Sequence, residues 1–180
     1  MSGSATKFNT VHIILHWLTA FLILFMLGMG TFSLAETPNT SPDKLFALGG
    51  HMTLGITVLM LTVFRLFWLY THPKPPHAAT GNRFLDRLGI SVHHTLYVLI
   101  FLVLASGIGM ALLSGLPGIV FGNGGELPQS FFAYPPRYVH GIATKLLAAL
   151  ILLHAIGALY HHYVLNDGLI ARMWFGRDRD

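Results

Sequence analysis

Two histidines in the last apolar segment are spaced in a way that suits the binding of paired cofactors. His140 and His154 lie fourteen residues apart between Tyr138 and Leu165, a stretch whose only charged residue is Lys145. Fourteen helical steps of about 100° return the second imidazole to within roughly 40° of the first, about 21 Å further along the axis. Both rings therefore share one face, roughly two-thirds of a hydrocarbon core apart. This spacing is typical of a helix that holds one haem group near each membrane surface.

The composition indicates that these histidines lie in a bilayer. Of the 180 residues, 53% are hydrophobic and only 10% are charged, too few to cover an ordinary soluble surface. Backbone groups in lipid must be satisfied within their own segment, so each span is a helix. We predict an all-α, integral-membrane four-helix bundle in a single domain, residues 1–180. The predicted spans are about Val11 to Ala35, Leu45 to Tyr70, Leu88 to Leu113 and Tyr138 to Tyr163.

The basic residues predict the orientation. One side of a four-span chain carries Lys7, Arg65, Lys74, Arg83, Arg87, Arg172, Arg177 and Arg179, and the other only Lys44, Arg137 and Lys145. By the positive-inside rule both termini are cytoplasmic, and the expected location is the bacterial inner membrane. The net charge of +4 then reflects topology, and no nucleic-acid partner is needed to explain it. The chain has no cysteine, which excludes iron–sulfur clusters and covalent haem attachment.

Two connections between the spans differ in character. The stretch from Thr71 to His77 contains three prolines, cannot continue a helix and reads as a spacer on the basic side. The stretch from Ser114 to Arg137 is rich in glycine, proline and aromatic residues. We interpret it as a loop at the membrane interface that acts as a lid.

Eleven histidines in a membrane protein of this size need a physical explanation. An ionisable side chain within a span is costly, so it usually faces the bundle interior and marks a cofactor or a pathway. By depth, the layer nearer the cytoplasm contains His16, His94 and His154, and the opposite layer contains His51 and His140.

Small residues follow four of these histidines. A porphyrin needs little bulk on the turn after its ligand, and positions three and four residues onward share the ligand's face. The alternative is that small residues serve helix packing in lipid generally. The four histidines are His16, His51, His140 and His154. The residues three and four positions after them, all small except Leu54, are Thr19, Ala20, Leu54, Gly55, Ala143, Thr144, Gly157 and Ala158.

Three further residues are candidates for a quinone site in the cytoplasmic layer. Arg65 follows His51 by fourteen residues, so it lies on nearly the same face about 21 Å closer to the cytoplasm. It either pairs with a haem propionate or a quinone head group, or simply extends to the lipid head groups. His161 follows His154 by seven residues and either replaces it as a ligand, contacts a quinone or lies in the interface. His93 and His94 point about 100° apart, so at most one faces the core, and we select His94.

The sequence resembles the prokaryotic cytochrome b-561 family of small four-helix di-haem membrane proteins. The resemblance covers nearly the whole chain. It rests on His16-Trp17-Leu18, Gly50-His51-Met52-Thr53-Leu54-Gly55, Arg65 with His72-Pro73-Lys74-Pro75-Pro76, His94-Thr95-Leu96-Tyr97, and His140 with His154-Ala155 and Tyr160-His161-His162-Tyr163.

The resemblance implies a ligand set and an activity. It implies two non-covalent haem b groups, one held by His51 and His140 on the periplasmic side, the other by His16 and His154 on the cytoplasmic side. It also implies electron transfer linked to ubiquinone, and one branch of the family looks like superoxide:ubiquinone oxidoreductases. Lys44, Arg137 and Lys145 are the periplasmic cations available to attract superoxide, against Glu36, Asp43 and Glu126.

Two other kinds of function stay open. The chain is either an oxidoreductase in its own right or a haem-carrying membrane anchor that exchanges electrons between the quinone pool and a partner redox protein. A zinc or copper protein would need carboxylate or thiolate ligands among the histidines, and the spans have none.

Overall fold

The computed structural model describes residues 7–77, 80–122 and 124–175, and every regular element in these ranges is helical. The two C-terminal arginines counted above, Arg177 and Arg179, lie outside the described residues. The α-helices are α1 (Thr10–Gly28), α2 (Pro42–Thr71), α3 (Arg83–Leu113), α4 (Leu116–Phe121) and α5 (Pro136–Tyr160). π-Helical segments extend α1 over Met29–Leu34 and α5 over His161–Leu165, and 3-10 turns cover Phe131–Ala133 and Ile170–Met173.

Four of these helices are long and apolar enough to cross a membrane, which confirms the predicted spans. All four begin earlier than hydropathy indicated, and at three of them a polar cap sets the start. Asn9 accepts a hydrogen bond from the backbone of His12, and Asn82 accepts one from the backbone of Phe84. Ser41 stands in the same position before α2. Each cap satisfies a backbone N–H group that has no partner inside the helix.

The four long helices place the first and last described residues of the chain on one side. α1 packs along α2 and α3 along α5, and α2 also contacts α3. The backbone N–H of Phe8 donates to the carbonyl of Arg172 at 3.2 Å, so residues from both ends of the chain meet. We call this side the terminal end, and the opposite side, which carries α4, the loop end.

The buried apolar core lies halfway between the two histidine layers. Its members include Ile23, seven residues after His16, and Val58, seven residues after His51. Leu147 lies midway between the two histidines of α5 and is 2% exposed. Many large apolar side chains instead face outward, as expected of helices surrounded by lipid.

The connection at the loop end, residues 114–137, was interpreted as a loop and contains a short helix. α4 spans Leu116–Phe121 and starts after Gly115, whose φ of 69° is easily adopted only by glycine. Leu116 is 1% exposed and packs with Leu48 and Ala111 in a second buried cluster. Six residues are too few for hydrophobic periodicity to reveal a helix. The helix is instead stabilised by burial of Leu116.

Lys44 does not extend into solvent at the loop end. Its side chain is 6% exposed, and its ammonium group donates to the carbonyl of Leu34 and, at 2.8 Å, to that of Thr37. These carbonyls close the end of the first span, where a cation is favoured by the helix dipole. Lys44 is therefore used as a helix cap, and it was wrong to count it among the cations free to attract an anion.

At the terminal end the C-terminal segment folds back over α1. The indole N–H of Trp17 donates to the carbonyl of Met173 at 2.7 Å, and its ring meets the ring of Trp174 edge-on. Arg172 donates to the carbonyl of Pro76 in the proline-rich connection at 3.3 Å. The segment thus joins three parts of the chain at this end.

Candidate functional site

Four histidines form two pairs inside the bundle. The terminal-side pair joins His16 of α1 to His154 of α5, with ring centroids 6.4 Å apart and ring planes at 68°. The loop-side pair joins His51 of α2 to His140 of α5, with centroids 6.3 Å apart and planes at 71°. α5 therefore contributes one histidine to each pair.

The separation within each pair fits one metal ion bound between two imidazoles. Two rings that bind a metal from opposite sides, each through a metal–nitrogen bond of about 2 Å, place their centroids roughly 6 Å apart. Rings in ordinary edge-to-face contact also have centroids about 4.5–7 Å apart, so the separation is compatible with a bound metal without requiring one. Both pairs have a separation compatible with bis-histidine binding of a haem iron, and a Cβ atom at Gly157, one turn from His154, would meet nothing within 4 Å.

The orientation of His140 is set by α3. Its Nδ1 atom lies 3.0 Å from the carbonyl of Val103 and 3.3 Å from the hydroxyl of Ser106. A backbone carbonyl only accepts, so Nδ1 carries the proton and Nε2 keeps its lone pair, the form in which histidine binds a metal.

Gly107 makes room for the same ring. A Cβ atom at this position would lie 3.2 Å from Cε1 of His140, closer than most real contacts. The roles of Val103, Ser106 and Gly107 were not predicted from the sequence. A serine and a glycine side by side within the apolar third span were the only sequence signal for them.

Several buried polar atoms near the pairs lack partners. In the described part of the chain these are Nδ1 of His51, the hydroxyls of Thr19 and Thr62, and Nε of Arg65. Unpaired buried polar groups are uncommon in native structures and call for a specific explanation. Thr19 is one turn inward from His16, and Thr62 is about one turn inward from Arg65. Three of the four unpaired atoms therefore lie beside the terminal-side pair.

Arg65 points into the bundle, which decides between the two interpretations of this residue. Its Nη2 atom donates to Nδ1 of His16 at 2.7 Å, and its guanidinium carbon lies 5.5 Å from the centre of the Tyr97 ring. A lipid-anchoring arginine would instead extend outward. The cation is thus placed directly beside the terminal-side pair.

α3 brings His93, and not His94, against the terminal-side pair. The rings of His93 and His154 meet edge-on with centroids 4.9 Å apart. Both side chains are exposed, and each bonds through Nδ1 to a carbonyl of its own helix at 2.8 Å, so the ring contact with His154 is what distinguishes His93 from His94. His93 and His94 have nearly the same depth in α3, and the rotation of the helix turns His93 toward His154.

His161 is paired with a carboxylate that the sequence analysis did not select. Its Nδ1 atom lies 2.5 Å from Oδ2 of Asp167. The imidazole is 14% exposed and the carboxylate 23% exposed. His161 therefore lies near the surface of the terminal end, and its ring contacts Tyr160 rather than His154.

Comparison with known proteins identifies the relatives of this arrangement. A sequence model of the family described as prokaryotic cytochrome b561 matches residues 7–176. Cytochrome b562 of Cereibacter sphaeroides is 29% identical over 174 residues, covering 92% of this chain and 94% of the relative. Probable superoxide oxidase CybB of Yersinia pestis is 26% identical over 170 residues, covering 93% and 95%. Cytochrome b561 homolog 2 of Escherichia coli K12 is 26% identical over 189 residues, covering 96% and 93%.

Proposed function

The chain belongs to the prokaryotic cytochrome b561 family, and from that premise we propose that it carries electrons across the bacterial inner membrane between a periplasmic donor and ubiquinone. Membership makes it a membrane electron-transfer protein that uses haem b. The proposal of electron transfer across the membrane rests on the two histidine pairs, which have matching geometry and lie one toward each end of the bundle.

We assign one haem b to each pair. His51 and His140 hold the loop-side haem, and His16 and His154 hold the terminal-side haem. Bound haem supplies a one-electron carrier, and the protein sets its potential through the ligands, burial and nearby charge. Between the pairs, Ile23, Val58 and Leu147 exclude water from the interior.

Arg65 is proposed to change partners when haem binds. A histidine that binds iron through Nε2 keeps its proton on Nδ1, and an arginine can only donate. The hydrogen bond from Arg65 to Nδ1 of His16 is therefore incompatible with ligation through Nε2. The released guanidinium, with Nε also free of partners in the described chain, is available to a haem propionate or a quinone oxygen.

The terminal end is the proposed quinone end. Arg65, His94 and His161 are the proposed contacts, and His93 joins them because its ring touches that of His154. By the positive-inside rule this end is cytoplasmic.

The donor at the loop end is either superoxide or a redox protein. The Yersinia pestis relative is named a probable superoxide oxidase. However, the ammonium of Lys44 is bound to backbone carbonyls, and Arg137 lies over the Phe132 ring at 4.8 Å. Because the ammonium of Lys44 is buried, this end exposes one cation fewer to an anion, which favours the second candidate function, a haem-carrying anchor for a partner redox protein.

The purified protein is expected to bind two b-type haems per chain. Both should pass into acidified organic solvent, since no cysteine holds them covalently. Haem quantification and an optical redox titration measure this, and one haem or none contradicts the proposal. Stopped-flow mixing with superoxide, with and without ubiquinone, then distinguishes the two donors: rapid haem reduction favours superoxide, and no reduction favours the anchor.

Gly107→Val is expected to weaken binding of the loop-side haem alone. The added side chain meets the His140 ring and pushes it away from His51. The haem content should fall from two toward one per chain, with the terminal-side haem unchanged in the redox titration. Gly89→Val on the same helix is the matched control, because a Cβ there meets nothing within 4 Å. Equal haem loss in both variants would show that valine merely disturbs α3.

A further inference from the structure

The end of α5 is built so that a carboxylate returns to a histidine. The π-helical segment His161–Leu165 is followed by Asn166, whose φ of 51° reverses the chain. The backbone N–H of Asp167 then donates to the carbonyl of His161 at 3.4 Å. π-Helical turns are rare and occur frequently at functional sites. Here the turn brings Asp167 beside His161.

Both oxygens of the Asp167 carboxylate are used. Oδ2 lies 2.5 Å from Nδ1 of His161, and Oδ1 accepts from the backbone N–H of Leu169 at 3.0 Å. Burial alone raises the pKa of Asp167, but these two hydrogen bonds and the charges of His161 and Arg172 together lower it below its usual value. The group is therefore a carboxylate at neutral pH, and it accepts a proton from Nδ1.

We propose that Asp167 is a positioning residue that holds His161 with its proton on Nδ1, so that Nε2 exchanges a proton with quinone at the terminal end. This inference rests on the proposed function. A carboxylate that fixes one imidazole nitrogen leaves the other in a defined state and direction. Without this carboxylate, the ring of His161 would lack the restriction.

The proton and electron balance defines the role of each group. Reduction of a quinone to a quinol takes up two electrons, supplied through the haem sites, and two protons, one from His161 and one from the water at the terminal end. His161 provides one of the protons: its Nε2–H bond breaks, and an O–H bond forms on one quinone oxygen. The imidazole is left neutral, with Nδ1–H still donated to Asp167, and Nε2 takes a new proton from the water at this end.

Few other charged groups act on His161. Asp86 of α3 interacts electrostatically with it, and Arg172 of the C-terminal segment interacts with Asp167. Asp86 bonds to the backbone and hydroxyl of Thr80 rather than to His161. It therefore offers a matched control, a carboxylate at the same end without the hydrogen bond.

The test compares Asp167→Asn, Asp167→Glu, His161→Gln and Asp86→Asn in the full haem-loaded protein. An asparagine can present its NH₂ group to Nδ1 and so reverse the tautomer. Oxidation of the reduced haems by a soluble ubiquinone analogue, followed by stopped flow from about pH 5 to about pH 9, should be about tenfold or more slower in Asp167→Asn. The midpoint of its pH profile should move toward acid, whereas Asp86→Asn should move less and Asp167→Glu should recover most of the rate.

The outcomes separate this inference from the proposed function. If His161→Gln slows oxidation and Asp167→Asn matches the wild type in rate and pH profile, the role of Asp167 is overturned and the quinone role of His161 stands. If neither variant slows oxidation, the assignment of His161 to the quinone site fails. Nitrogen NMR of labelled histidines gives a readout without quinone. An unchanged His161 tautomer in Asp167→Asn contradicts the inference. Loss of a haem from Asp167→Asn contradicts it as well.

Discussion

Replacing His51 or His140 with alanine is expected to remove the loop-side haem and to leave the terminal-side haem in place. Replacing His16 or His154 should remove the other haem, so each substitution lowers the content from two per chain to one. The physical reason is that each pair has its own two ligands and is separated from the other by the apolar core. Haem quantification and a redox titration that shows one remaining component measure the result.

Two other histidines serve as controls for the ligand assignment. His94→Ala should retain both haems, because its side chain is exposed and bonds to its own helix. His161→Ala should retain both as well, since its ring faces Asp167. If His154→Ala keeps both haems while His161→Ala loses one, the ligand chosen on α5 is wrong.

Substitution of Arg65, His94 or His161 with glutamine is expected to keep both haems but to slow haem oxidation by added ubiquinone. For the two histidines the loss should be on the order of the 10²- to 10⁴-fold that a positioned proton donor contributes. We expect Arg65→Gln to have an additional effect, because a buried cation beside the terminal-side pair favours the reduced iron. The midpoint potential of the terminal-side haem should fall by roughly 60 mV in this variant, equivalent to about tenfold in the redox equilibrium. Stopped-flow kinetics and redox titration measure the two effects.

Conservative variants distinguish charge from geometry at this end. Arg65→Lys keeps the charge but loses the planar fork, so the potential should recover more fully than the quinone rate. His93→Gln compared with His94→Gln shows which histidine of α3 faces the quinone. Unchanged kinetics in the Arg65, His94 and His161 variants would place the quinone site elsewhere, and loss of a haem in any of them would reassign that residue to ligation or structure.

The sequence was sufficient to predict the spans and the depth of the histidines. Helical rise is constant, so counting residues from the ends of a span gives the depth of His16, His51, His140 and His154 without a structure. Long apolar runs have no alternative in lipid but a helix, and this is why the four spans were predicted correctly. The boundaries shifted because capping residues such as Asn9 are polar and fall outside a hydropathy window.

Rotation about the helix axes, and contacts between distant segments, were decided only by the tertiary structure. Neighbouring residues such as His93 and His94 have the same depth, and packing of α3 against α5 turns the first toward His154. The direction of the Arg65 side chain and the burial of Lys44 depend in the same way on which groups lie opposite. The pairing of Asp167 with His161 depends on a chain reversal at Asn166, a local geometry that neither composition nor periodicity reports. Depth is a property of one helix, whereas partners are a property of the assembled bundle.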